Sequence, residues 1–297
     1  MTRRGLALFG AMCVIWGIPY LLIRVAVRDL SPATLVLART GIAALLLLPI
    51  AAARDELRPV LRYWPGVVAF AAVEIAVPWI LLNAAEQEIS SSLAALLIAG
   101  VPLIGVVIAR TTGARERIGV ANLLGLLVGV AGVAAIVGVN LESAGVVPIV
   151  EVGLVAVCYA VGPAILQRWL SDLPALGVIA VALGMTTILY APTAAFVFPD
   201  EVPSAKVLWS VLVLAVVCTA LAFILFFALI AEIGPVRATV ITYVNPAVAA
   251  VLGVTLLDER FTLGMAVGFV LVLLGSVLAT RPSGASGCSP TADVPSP

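Results

Sequence analysis

Ten apolar runs, each near twenty residues long and set apart by short polar breaks, decide what this chain can fold into. They fall at about 5–23, 32–53, 64–85, 90–109, 118–139, 146–166, 174–198, 207–230, 235–257 and 261–279. At about 1.5 Å of rise per residue, a helix of that length crosses the roughly 30 Å hydrocarbon core of a bilayer. A soluble domain is about half apolar and about a quarter charged. This chain is 63% hydrophobic and 11% charged, with a mean hydropathy of +1.23. The expected fold class is an all-α polytopic membrane protein with ten transmembrane helices. Residues 1–4 with the first run resemble a signal peptide. The run is long for one, however, and no small-residue cleavage site precedes Arg24, so it reads as an uncleaved first span.

Charge placement orients the spans. With the N-terminus inside, the inner segments hold Arg3, Arg4, Arg54, Arg58, Arg62, Arg110, Arg115, Arg117, Arg168, Arg237 and Arg281. The outer segments hold Arg24, Arg28, Lys206 and Arg260. That excess puts both termini in the cytoplasm under the positive-inside rule. Basic and acidic residues balance at 16 each, with no basic patch for nucleic acid. The chain has no histidine, so the commonest metal ligand and any histidine-based triad are missing. Cys13, Cys158, Cys218 and Cys288 form no CxxC pair, and neither a metal site nor a structural disulfide is expected. No GxxxxGK[ST] motif occurs, so an electrochemical gradient is the expected drive; with no histidine and no paired aspartates within the spans, the chain is read as no enzyme and as needing no cofactor. The Pro/Ser/Gly-rich residues 282–297 are expected to be a disordered cytoplasmic tail.

The chain also repeats itself. Pro19 falls on Pro163, Pro32 on Pro174, Pro49 on Pro192 and Pro102 on Pro246. Arg24 meets Arg168, Glu88 meets Glu232, and Glu116 and Arg117 meet Glu259 and Arg260. Gly41, Gly125 and Gly132 meet Gly184, Gly268 and Gly275. Two five-span repeats follow, 1–140 and 141–281. Five is odd, so the second repeat enters the membrane upside down, the pattern of alternating-access carriers.

The residues quoted next carry a family resemblance. Residues 219–275, TALAFILFFALIAEIGPVRATVITYVNPAVAAVLGVTLLDERFTLGMAVGFVLVLLG, resemble the second repeat of EamA-type drug/metabolite transporters. VIWGIPYLLIRVAV and LVLARTGIAALLLLP resemble that family's first two helices, and AEQEISSSLAALLIAGVPL its fourth. The likeness runs from residue 6 to 281. It implies ten helices with cytoplasmic termini and a cavity lined by helices 1, 3, 4, 6, 8 and 9. It also implies that helices 5 and 10 pack together at one side. Substrates across that superfamily include amino acids, other metabolites, drugs and nucleotide sugars.

Glu74 is the leading site candidate, for substrate binding and for proton coupling. It lies mid-span in the third run, four residues before Pro78, which leaves the carbonyl of residue 74 without its usual donor. Intramembrane ionisable residues are costly and are functional candidates by default. A carboxyl in apolar surroundings favours its neutral form and can carry a proton. Pairing with a neighbouring helix is the structural alternative. Arg39, the one basic residue well inside a span, could meet a carboxylate substrate or Glu74, or could snorkel outward. Trp16 and Tyr20, with Tyr159 at the equivalent place in the sixth span, could line a cavity or fill a core. Tyr243 and Asn245 precede Pro246 and offer either a specific polar contact or interhelical glue. Ser90, Ser91 and Ser92 could cap the fourth helix, while Glu86 and Glu88 are expected to face outer water. Gly125-x-x-x-Gly129 and Gly264-x-x-x-Gly268 read as close packing, within or between subunits. The expectation is a secondary-active exporter of small metabolites such as amino acids, monomeric or homodimeric. A proton-coupled exporter of lipophilic cations is the near alternative, and a non-transporting sensor or scaffold the distant one.

Overall fold

The computed structural model describes residues 2–111, 120–197, 199, 201–234, 238 and 240–280, without the side chains at 109–111, 120 and 139–144. The side chains of Arg110, Arg115, Glu116, Arg117, Arg237 and Arg281 fall outside the described residues, as do Pro235, Cys288 and the 282–297 tail. Among the described residues, ten apolar helices account for the ten runs. They are α1 (Arg3–Ala26), α2 (Pro32–Ala53), α3 (Trp64–Glu88), α4 (Ser91–Ile108) and α5 (Val120–Ala144) in the first half. The second half holds α6 (Val146–Trp169), α7 (Ala175–Phe196), α8 (Ala205–Ile233), α9 (Ile241–Leu257) and α10 (Leu263–Ala279). Eight are long and apolar enough to cross a membrane, and α9 and α10 are shorter. No strand occurs among the described residues.

Local chemistry sets the helix starts. Ser31, Ser90 and Thr262 each accept a bond from the backbone N–H three residues on, at 3.2 Å, opening α2, α4 and α10. Pro32 then occupies the first turn of α2, where a missing N–H costs nothing. Between the halves the chain turns at Gly145, with φ 76 and ψ 170, a backbone region open to glycine.

The repeat is legible in three dimensions. Two of the most extensive helix pairs are α5 with α10 and α2 with α7, each a pair of repeat mates. Leu45 on α2 and Ile188 on α7, 143 residues apart, are each 75% exposed on the apolar rim. In α3 the bonding loosens to five-residue (π) spacing over Ala71–Ala76, and in α8 over Val216–Leu221, 145 residues later. The first follows from Pro78, whose missing N–H forces the preceding turn to re-pair; Val77 N–H donates to Ala72 O, five residues back. No proline follows the second, so the sequence gives no local sign of it.

Other proline pairs behave differently in the two halves. Ahead of Pro19 the turn tightens, and Gly17 N–H donates to Val14 O at 3.0 Å. Ahead of Pro102 it tightens again, with Gly100 N–H on Leu97 O at 3.1 Å. Their mates Pro163 and Pro246 lie inside unbroken helices.

The seam between α5 and α10 is built from glycine, within one chain. Gly275 packs on the backbone of Gly125 and Gly129, and Gly132 on Gly268. Gly125, Gly129 and Gly268 of the glycine-spaced motifs thus act in packing, joined by Gly132 and Gly275. A Cβ on Gly132 would stand 2.7 Å from both Gly268 O and Val272 N, whereas one on Gly105 meets nothing within 4 Å. Gly132→Ala is therefore expected to cost about 1–3 kcal/mol, and Gly105→Ala to be neutral or mildly stabilising. Thermal denaturation of the detergent-solubilised variants reads this directly, and equal melting temperatures would contradict the seam.

Candidate functional site

The π-turn of α3 carries Glu74 at its fourth residue, and the π-turn of α8 carries Thr219 at its fourth. Both lie near mid-depth in their helices, on opposite halves of the fold. Glu74 is half-buried as a residue, but its Oε2 is fully enclosed and has no hydrogen-bond partner. The wall facing it is Gly162 of α6, which sits directly against the carboxyl group and leaves no room for a Cβ. A glycine here lets a first-half carboxyl reach the second half's backbone. The structural bridge considered for Glu74 is not made through this oxygen. Nearby, Tyr190 of α7 donates to Ala76 O at 3.0 Å, covering a carbonyl at the end of the same π-turn.

Arg39 does not snorkel. It is 8% exposed and lies with its guanidinium carbon 3.7 Å from the centre of the Trp79 ring. Its Nε donates to Thr219 Oγ1 at 2.9 Å, and that hydroxyl donates onward to Leu214 O at 2.8 Å. A cation–π contact within the first half and a charged hydrogen bond into the second hold one cation in the seam. Sequence reasoning missed Trp79, Gly162 and Thr219. The signal for Thr219 was present, because the 145-residue offset of the repeat carries Glu74 onto it.

The aromatic candidates separate. Tyr159 packs against both of the large buried clusters, one containing Tyr20 and the other Trp79, so it belongs to the mid-depth seam. Trp16 instead packs into the aromatic face of α8, with its ring centre 4.7 Å from Phe226 and 6.0 Å from Phe223. Asn245 is interhelical glue. Turned to satisfy both neighbours, its amide nitrogen donates to Ile241 O at 2.9 Å and to Cys13 O at 3.1 Å. Because Gly17 N–H has turned to Val14 O, Cys13 O lacks its usual helical donor, and Asn245 supplies one. Tyr243, two residues earlier, is half-buried.

A second polar group closes the end opposite the termini. Arg24 Nη1 donates to the backbone carbonyl of Glu86 and, at 2.9 Å, to that of Gln87. Glu259, between α9 and α10, grips the start of α4: Oε1 accepts from Ser91 N and Oγ at 2.8 Å each. Its Oε2 accepts from Ser92 N at 2.9 Å and Ser92 Oγ at 2.5 Å. A carboxylate on a helix N-terminus gains from both the unpaired N–H groups and the helix dipole. Ser90 caps α4 as expected, while the roles of Ser91 and Ser92 come from a loop 167 residues away. Glu88 is exposed, as expected, but Glu86 is 0% exposed, which corrects the reading that it faces water. Glu86 lies two residues before the end of α3, where that helix packs against α1, α2, α4 and α6.

Thr219→Val removes the acceptor from a buried guanidinium and is expected to cost about 1.5–3 kcal/mol. Thr219→Ser should restore most of the melting temperature. Equal losses in both variants would show that the methyl, and not the hydroxyl, carries the contact.

Comparisons with known proteins agree with this architecture. The model of the EamA-like transporter family matches residues 3–138 and again 149–281. An uncharacterized inner membrane transporter of Escherichia coli K12, YedA, is 29% identical over 291 residues, covering 93% of this chain and 94% of that protein. An uncharacterized transporter of Archaeoglobus fulgidus is 26% identical over 270 residues, covering 90% and 95%. A solved crystal structure at 19% identity shares the fold with a TM-score of 0.67, over 94% of this chain and 97% of that one. Ten apolar helices, a repeat matched twice by one family model, and transporter relatives along nearly the whole length agree: this multi-pass membrane protein belongs to the EamA-like transporter family.

Proposed function

We propose that this chain is a secondary-active carrier that exports small metabolites such as amino acids by alternating access, with Glu74 as the proton-coupling group and both termini in the cytoplasm. The observation that carries the reading is the enclosed, unpaired Oε2 of Glu74 in the seam between the halves, pressed against Gly162. A buried carboxylate without a partner is costly, so this arrangement suits the neutral acid. A site at mid-depth between inverted repeats is where such carriers alternate exposure. Arg39 brings a fixed positive charge into the same seam, the complement of a substrate carboxylate. Tyr20 and Tyr159 supply aromatic surface beside it.

The aromatic face formed by Trp16, Phe223, Phe226 and Phe227 favours a second substrate class, lipophilic cations held against rings. Thermal-shift screening of the purified protein separates the two, because a ligand of the folded state raises its melting temperature.

In proteoliposomes with an imposed pH gradient, amino acid flux should depend on the gradient in the unmodified protein and lose that dependence in Glu74→Gln. Binding of the same ligand should weaken by about tenfold or more in Arg39→Leu, which removes a charge-assisted contact worth roughly 1.5–3 kcal/mol. A Glu74→Gln protein that keeps its full gradient dependence would falsify the coupling role.

A further inference from the structure

Glu86 is 0% exposed, and neither of its carboxyl oxygens has a hydrogen-bond partner. Its segment of α3 packs against α1, α2, α4 and α6. The ionisable groups within electrostatic reach of it are Arg24 and Tyr20 from α1, Arg39 from α2 and Glu259 from the loop before α10. From α6, Glu151 faces Glu88 and Tyr159 faces Glu74. From α4 come the hydroxyls of Ser91 and Ser92, both held by Glu259.

Each nearby cation is engaged elsewhere. The Arg24 guanidinium binds the peptide carbonyls of residues 86 and 87, and only the backbone N–H of Arg24 comes near the Glu86 carboxyl. Arg39 is bound to Thr219 and Trp79. An ionised Glu86 in this setting would be a buried charge with no partner and with the Glu259 carboxylate for a neighbour, a strongly unfavourable arrangement. The closed end is built for a neutral carboxylic acid.

Opening that end requires Arg24 to leave the last carbonyls of α3 and α4 to part from Glu259. Water then reaches Glu86, and the released Arg24 becomes available to the ionised carboxylate. We propose that Glu86 is a second proton-binding site, loaded while the end opposite the termini is closed and unloaded as it opens. The step is a proton transfer from the Glu86 carboxyl to bulk water, with no other group changed. By linkage, acid favours the closed end and base the open one. The proposal rests on the alternating-access reading but names a group that reading does not use.

The test needs no substrate. With Cys13, Cys158, Cys218 and Cys288 replaced by alanine, one reporter is introduced by Ile89→Cys, at a position 2% exposed beside the closed end. Maleimide labelling in lipid nanodiscs is followed against pH and corrected for thiolate content with an unfolded control. Labelling should rise severalfold as pH increases in the parent, and stay low and flat in Glu86→Gln. Infrared spectra at neutral pH should contain a protonated-carboxyl band that Glu86→Gln deletes and Glu74→Gln leaves in place. Should Glu86→Gln not fold, Glu86→Asp should displace that band. A parent whose labelling ignores pH, a Gln variant that keeps the parent's pH dependence, or a band untouched by change at Glu86 would each overturn the proposal. Absence of amino acid flux, with both signals intact, would count against the transport reading and leave Glu86 standing.

Discussion

A bilayer core offers the backbone no hydrogen-bond partner, and most of the distinctive contacts in this fold answer that constraint. At three of the turns that a proline or a π-turn disturbs, a side chain stands ready, from another helix at two of them and from the same helix at the third. Asn245 of α9 covers Cys13 O at the tightened turn of α1. Tyr190 of α7 covers Ala76 O at the π-turn of α3. Thr219 covers Leu214 O in the π-turn of α8 and still accepts from Arg39. These repairs tie one half of the molecule to the other, so the irregular places are also where the halves are joined.

The first half bears more of the chemistry than the second. Glu74 and Thr219 occupy equivalent turns, yet one is an acid and the other a hydroxyl that anchors a cation. Arg39 has Ala182 at the corresponding place in α7, which is completely buried. Duplication supplied two similar frames, and the carboxyl and the guanidinium in the seam, Glu74 and Arg39, both come from the first.

Much of this was legible in the sequence because lipid imposes such strict rules. Span number and the doubled architecture follow from length, hydropathy and the register of prolines and charges, while the packing of α5 on α10 was implied by the family resemblance and supported by glycine spacing. The mid-span carboxylate was equally visible, since Glu74 stands alone among apolar neighbours. What stayed hidden depends on pairing across long separations. Glu259 reads as a loop acid until the start of α4 is brought to it, and Glu86 reads as a helix-end acid until α1, α2, α4 and α6 close around it. The second π-turn has no proline to announce it, and Thr219 gained meaning only as the repeat mate of Glu74.

The glycine seam has a mechanical consequence. Where Gly125, Gly129 and Gly132 meet Gly268 and Gly275, main chain lies directly against main chain, with side chains such as Ile136 packed beside the contact. Such a surface has one good register and resists sliding, which makes α5 and α10 a fixed spine. Bending is left to the helices with loosened or tightened turns, α1, α3, α4 and α8, and three of these carry Trp16, Glu74 and Thr219 beside those turns. The irregular turns and the seam residues Glu74 and Thr219 thus fall at the same places in the chain.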